Sequence, residues 1–144
     1  MRCNALYACL ALVAPIAVAV AGDVPGDVSA IAATMPPEEV RILTTVGREY
    51  GLTGDRLRLL FAIRKIENGR PGVEMGVGSD FPGHRARRYA GRFAKSLHLQ
   101  AQWAAGTIRR RYTGDLNAFS QRYCPPNWQN WTRMARFWMY KKGI

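Results

Sequence analysis

The stretch "LLFAIRKIENGRPG", residues 59–72, predicts a helix that ends in an acidic residue. Its apolar side chains recur at the three- and four-residue spacing of one helix face: Leu59, Leu60, Ile63 and Ile66. Glu67 falls on the same face, and Asn68, Gly69 and Pro71 then predict the end of the helix. A carboxyl group is therefore directed toward the core, at the helix end where the backbone dipole disfavours negative charge.

These surroundings predict that Glu67 is a proton donor. Partial burial and the negative end of the helix dipole both raise a carboxyl pKa. An acid that stays protonated near neutral pH can give its proton to a leaving group. Two alternatives remain open at this point: Glu67 turns outward to solvent or a backbone amide, or Arg64 approaches it and lowers its pKa.

A second carboxylate is the usual partner of such an acid in glycosidases. Glu74 and Asp80 lie in the glycine-rich segment after Glu67, but no pattern supports either of them. We expect both to be solvated loop charges.

The N-terminal segment predicts an exported protein. Arg2 is the only charged residue among the first 21, residues 5–21 are almost wholly apolar, and "AVA" at 19–21 is typical of a signal-peptidase site. An uncleaved membrane anchor is the alternative. We expect a signal peptide over 1–21, a flexible leader over 22–35, and one domain over 36–144 that is periplasmic or extracellular.

Charge and cysteine content restrict the partners. The formal net charge is +11, with basic residues concentrated between 84 and 111, which predicts affinity for a polyanion. For an exported chain, the anionic cell wall or membrane surface is the expected partner, and no nucleic-acid-binding module is recognisable. Cys124 is the only cysteine beyond the signal segment, and two histidines complete no ligand-spacing motif. We expect no metal, no cofactor and a monomer.

The rest of the chain predicts an all-α domain of about six helices, with a short hairpin at most. One helix begins at Pro36–Pro37 and ends near Gly51, and Thr53 or Asp55 caps the next. Further helices are expected over 99–112 and 115–123, and Asn127 is expected to cap a last one. The tryptophans at helical spacing are expected in the core: Trp103, Trp128, Trp131 and Trp138.

Three stretches resemble one protein family when they are taken together. They are "AIRKIENGRPGVEMGV" (62–77), "QAQWAAGTIRRRY" (100–112) and "FSQRYCPPNWQNW" (119–131). They resemble small bacterial and phage members of the lysozyme-like superfamily, related to lytic transglycosylases and goose-type lysozymes. The resemblance covers roughly residues 40–140 and implies helices around a substrate cleft.

The resemblance also implies roles for individual residues. Glu67 takes the place of the catalytic glutamate at a helix end. The cleft turn with its hydrophobic–Gly–hydrophobic segment falls on Met75, Gly76 and Val77, and Tyr123 takes the place of a tyrosine near the glutamate. Substrate contacts are therefore expected from the following residues: Asn68, Met75, Gly76, Val77 and Tyr123.

The implied activity is cleavage of the MurNAc–GlcNAc glycan of peptidoglycan with one glutamate as acid and then base. In such enzymes either water or the sugar's own 6-hydroxyl attacks, and the residues leave both open. The chain has Asn68 where a serine is common and "YCPP" where Tyr-Asn-Ala-Gly is typical. The alternative is therefore an inactive lysozyme-like module that binds the wall or serves a structural role.

Overall fold

The computed structural model describes residues 24–76, 88–89 and 91–143, and all the regular secondary structure in this part of the chain is helical. It contains two 3₁₀ helices, Gly26–Val28 and Pro125–Asn127, and six α-helices. The α-helices are α1 (Ser29–Ala32), α2 (Pro37–Glu49), α3 (Gly54–Glu67), α4 (Phe93–Arg111), α5 (Leu116–Tyr123) and α6 (Trp128–Met139). No strand occurs in the described ranges. The predicted all-α class is confirmed.

Helix α3 is the centre of the molecule. It packs against α4, α6 and the first 3₁₀ helix, while α2 lies against α4 and α5 lies against α6. The run from Leu59 to Ile63 is fully buried, so the middle of α3 is covered on every side. The end of α3 is thereby fixed in place, and Glu67 is its last residue.

The structure corrects the prediction of a flexible leader over 22–35. Within the described part of that segment, from residue 24 onward, four side chains enter the core: Val28, Ile31, Ala32 and Met35. They recur at three- and four-residue spacing, which is the signature of a buried helix face. This apolar pattern outweighs the glycines and the proline that suggested a leader. The predicted signal segment at 1–21 lies outside the described residues.

Two predicted helix caps are also corrected. Thr53 precedes α3 and Asn127 precedes α6, but neither side chain makes a capping hydrogen bond. At α3 the backbone N–H of Gly54 donates instead to Asp27 Oδ2 at 3.1 Å, so an acceptor from the N-terminal segment supplies the cap. At α6 the preceding 3₁₀ turn continues directly into the helix.

None of the helices in the described part of the chain is both long enough and apolar enough to cross a membrane.

Candidate active site

Glu67 lies where the backbone leaves α3 through a sharp turn. Asn68 follows it in the left-handed conformation, with φ 39° and ψ 37°, and is the only described non-glycine residue with positive φ. The Asn68 N–H still donates to the Arg64 carbonyl at 3.0 Å. This is the geometry in which asparagine substitutes for the usual glycine at a helix C-terminus. The turn brings the loop 69–76 back alongside the acid.

One oxygen of the Glu67 carboxyl is bound by an indole from α6. Trp131 Nε1 donates to Glu67 Oε1 at 2.9 Å, and Trp131 itself is buried. Glu67 is half-buried, and this burial raises the pKa of its carboxyl above the ordinary value of 4.5. The Trp131 hydrogen bond lowers the pKa and offsets part of that effect. The direction is the one expected from the sequence.

The other carboxyl oxygen lies against Gly76. This glycine has φ 77°, and a Cβ placed on it would lie 2.5 Å from Glu67 Oε2. Such a separation is far inside van der Waals contact, so a side chain at this position would displace the Glu67 carboxyl, and the positive φ also favours glycine. Gly76 and Asn68 are both exposed, and the acid that they flank is itself partly accessible to solvent. The structure thus places Glu67, Asn68 and Gly76 together, as expected.

Arg64 does not neutralise Glu67, which closes one alternative left open by the sequence. Its guanidinium is buried and forms a two-pronged pair with Glu39 of α2, with Nε to Oε2 at 3.0 Å and Nη2 to Oε1 at 2.9 Å. Its remaining Nη1 donates to the backbone carbonyl of Glu74 at 3.2 Å. All three nitrogens are therefore engaged, and no ion pair involving Glu67 occurs among the described residues.

The prediction that Glu74 is a solvated loop charge is wrong. Glu74 is fully buried, where Gly72 N–H donates to Oε1 at 3.0 Å and Ser96 Oγ donates to Oε2 at 2.9 Å. Ser96 of α4 supplies one of these partners and the loop backbone supplies the other, and a pattern local in the sequence does not show either contact. Because the Glu74 side chain is buried and both of its carboxyl oxygens accept hydrogen bonds, it stabilises the loop and is not accessible as a second catalytic carboxylate. Asp80, the other candidate, lies outside the described residues.

A second side chain of α4 also holds the loop. Gln100 is fully buried, and its Oε1 accepts from Met75 N–H at 3.2 Å while its Nε2 donates to the Gly72 carbonyl at 3.3 Å. These bonds satisfy loop backbone groups that would otherwise be buried without partners. The loop beside Glu67 is therefore anchored at several points.

Tyr123 reaches the same loop from α5. Its hydroxyl donates to the Met75 carbonyl at 2.9 Å, and its ring stacks on Phe119 with centroids 5.4 Å apart. Its ring also lies 5.3 Å from the Trp131 ring. Burial first, and then the negative charge of Glu67, raise the Tyr123 pKa, so the phenol stays neutral. Tyr123 is thus near the acid, as the resemblance implies, but its proton is used to fix the loop.

The structure does not support a cleft contact from the Met75 side chain. That side chain is fully buried, because the loop turns its apolar residue into the core and leaves Gly76 outside. The expectation is corrected for Met75. Val77, the last residue of the predicted turn, lies outside the described residues.

Sequence reasoning missed two groups that shape this site. Trp131 was expected only as a core residue, and its place on the inner face of α6 gives no sign of which acceptor it meets. The sequence pattern gave no indication that Glu39 is buried, although it is 8% exposed and pairs with Arg64. Both contacts join residues far apart in the chain, which a local pattern does not specify.

Two cavities among the described residues lie away from Glu67. One of about 700 Å³ lies between α1 and α2, and one of about 310 Å³ lies beside α6 and includes Trp128. Glu67 lines neither of them. Within the described ranges, no three side chains of the metal-binding types come together.

Comparison with known proteins returned no matching family model, no matching curated protein and no matching solved structure.

Proposed function

We propose that the protein cleaves the glycan strands of peptidoglycan, with Glu67 as general acid and then general base. The single observation that carries the proposal is the environment of its carboxyl, which is half-buried at a helix end, raised in pKa and flanked by two exposed residues. Glycosidic bonds break when a protonated acid of this kind donates to the leaving oxygen.

The two oxygens of Glu67 suit the two steps. As an acid, Glu67 gives its proton to the glycosidic oxygen, and the resulting carboxylate keeps the hydrogen bond from Trp131 Nε1. That bond stabilises the charged form during the interval before the second step. The carboxylate then accepts a proton from the attacking hydroxyl, which belongs either to water or to the sugar.

A one-acid mechanism agrees with the roles of the neighbouring carboxylates. Glu74 is buried with both oxygens bonded, and Glu39 is paired with Arg64. Neither is available to activate water or to bind a sugar. Lytic transglycosylases, which the sequence resembles, likewise use one glutamate. The net charge of +11 favours retention on the anionic wall.

The alternative function is a wall-binding module without catalytic activity. It is favoured by the burial of Met75, which removes an apolar cleft contact that the resemblance implies. In this case Glu67 is one polar group on a binding surface, and sacculi are bound but not cut.

Digestion of purified sacculi tests the proposal. We expect soluble muropeptides from the wild type and a loss of at least about a hundredfold in Glu67→Gln, since general acid catalysis contributes on that order. Glu38→Gln is the matched control, because it removes the same charge at an exposed position of α2. Equal release by the wild type and Glu67→Gln above a protein-free blank would contradict the assignment.

Mass spectrometry of the products separates the remaining cases. An anhydro end and a reducing end differ by one water, so the product mass shows whether the sugar hydroxyl or water attacked. If sacculi are bound equally by the wild type and Glu67→Gln, and neither releases product, the wall-binding alternative is the function.

A further inference from the structure

The outward side of α6 carries an aromatic and basic surface that the candidate active site does not use. We define the α6 surface by five residues: Lys65, Met134, Phe137, Trp138 and Lys141. Phe137 is 58% exposed and Met134 is 37% exposed, although both are large apolar side chains. Met134 and Phe137 are three residues apart and so lie on one side of α6. Lys141 lies just beyond the end of the helix, with its Nζ 5.9 Å from the Phe137 ring.

The rings and ammonium groups of this surface are in contact. Phe137 packs edge-on against Trp138 with centroids 5.1 Å apart. Lys65 Nζ lies 4.6 Å from the centre of the Trp138 ring, and Lys141 Nζ lies 5.0 Å from the same centre. Lys141 Nζ is also 5.9 Å from the Phe137 ring. Two positive charges are therefore gathered on one indole.

The C-terminal segment that supplies most of this surface carries no acidic residue. From Cys124 to Gly143 the chain has no Asp or Glu, while it has Arg133, Arg136, Lys141 and Lys142. The ion pairs found among the described residues include neither Lys65 nor Lys141. Each cation–ring contact is favourable, but the two ammonium groups repel each other. A bound anion would relieve that repulsion.

We propose that the α6 surface binds an anionic lipid bilayer, with Phe137 inserted among the acyl chains and headgroup phosphates near Lys65 and Lys141. Aromatic rings with adjacent lysines are suited to the boundary between headgroups and hydrocarbon. A soluble polyanion would neutralise the lysines but would leave Phe137 and Met134 in water. The exposed apolar residues therefore favour a membrane over a purely ionic partner. This proposal is independent of glycan cleavage.

Sedimentation of the full chain with phospholipid vesicles tests this surface. We expect binding to vesicles of phosphatidylcholine mixed with phosphatidylglycerol, and little binding to phosphatidylcholine alone. Lys141→Gln should weaken binding about fivefold, since one lysine near an anionic surface contributes roughly that factor. Arg122→Gln, which removes one exposed charge from α5, is the matched control and should change binding less than Lys141→Gln.

The decisive variant is Phe137→Ser, because it changes no charge and the side chain is exposed, so folding is preserved. We expect it to weaken vesicle binding about fivefold or more, since binding scales with buried apolar area. Equal binding by Phe137→Ser and the wild type would overturn the proposal, because the attraction would then be charge alone. Equal weakening by Arg122→Gln and Lys141→Gln would also overturn it. Inorganic phosphate at the concentration of the lipid phosphate should not displace the protein, and displacement would indicate a free-anion site instead.

Discussion

At the scale of single residues, two opposing effects set the pKa of the Glu67 carboxyl. Burial favours the neutral acid, and the Trp131 indole favours the carboxylate. Because burial is the larger effect, the folded protein holds this proton to a higher pH than the unfolded chain does. The acid is therefore available for proton donation, and its charged form is still stabilised by one bond.

The raised pKa predicts a pH-dependent contribution to stability. Below the ordinary pKa of 4.5 the carboxyl is protonated in both the folded and the unfolded states, so folding does not bury a charge at Glu67. As pH rises from there through the folded pKa, the unfolded state loses its proton first and the folded state becomes relatively less stable. Wild-type Tm should therefore fall relative to that of Glu67→Gln across this window. Parallel Tm curves for the two proteins would contradict the prediction.

Gly76 predicts a second residue-level effect. Gly76→Ala should destabilise the fold by about 1 kcal/mol for the left-handed backbone and by about 1–3 kcal/mol more for the contact with Glu67. Gly51→Ala is the matched control, because Gly51 has φ 64° and open space where an added methyl group would lie. Urea unfolding of both variants measures the difference. If the two variants lose the same stability, Gly76 does not confine the acid.

At the scale of elements, the buried pair between Glu39 and Arg64 joins α2 to α3. The same guanidinium donates to the backbone carbonyl of Glu74, so the Arg64 side chain of α3 connects both α2 and the loop to its helix. Removing one partner of a buried pair leaves the other charge without compensation. The pair is therefore a structural requirement of the segment that ends at Glu67.

We expect Glu39→Gln to lower the free energy of unfolding by about 3–5 kcal/mol. Glu49→Gln is the control, because Glu49 lies on the same helix with its side chain 42% exposed and has only long contacts, 3.4 Å to Gln102 Nε2 and 3.8 Å to His98 Nε2. That variant should lose less than about 1 kcal/mol. Equal losses in urea unfolding would show that the buried pair contributes no more than the exposed one.

The sequence predicted these elements better than it predicted their partners. The ends of α2 and α3 follow from Pro37, Gly51 and Asn68, whose backbone preferences are local. The bond from Trp131 to Glu67 and the inward turn of Glu74 join distant parts of the chain. Periodicity indicates which face is buried, but it does not indicate which polar groups meet inside.

At the scale of the whole molecule, the domain begins earlier than the sequence suggested. Val28 and Ile31 pack into the same core as α3, and the first 3₁₀ helix contacts α3 directly. The glycines and proline of this segment indicated a linker, whereas the apolar spacing that indicates a helix was overlooked. The local composition of this segment is typical of a linker, but its apolar side chains are buried in the tertiary structure, and the segment is therefore part of the domain.

This boundary predicts that Ile31→Ala lowers the free energy of unfolding by about 2–4 kcal/mol, as for a buried core isoleucine. A residue in a flexible leader would show no such effect. Val24→Ala is the control, because Val24 is 39% exposed at the start of the described chain. Indistinguishable urea midpoints for Ile31→Ala and the wild type would instead support the prediction of a flexible leader.

The indole proton of Trp131 has a consequence for observing the site without any substrate. The chain has four tryptophans, so a nitrogen–proton correlation spectrum contains four indole signals that are readily separated from the backbone. Only the Trp131 indole donates to the Glu67 carboxyl among the described contacts, so its chemical shift should follow the ionisation of that one group. A pH titration of this single resonance therefore gives the proton affinity of the candidate catalytic acid directly, in the resting protein.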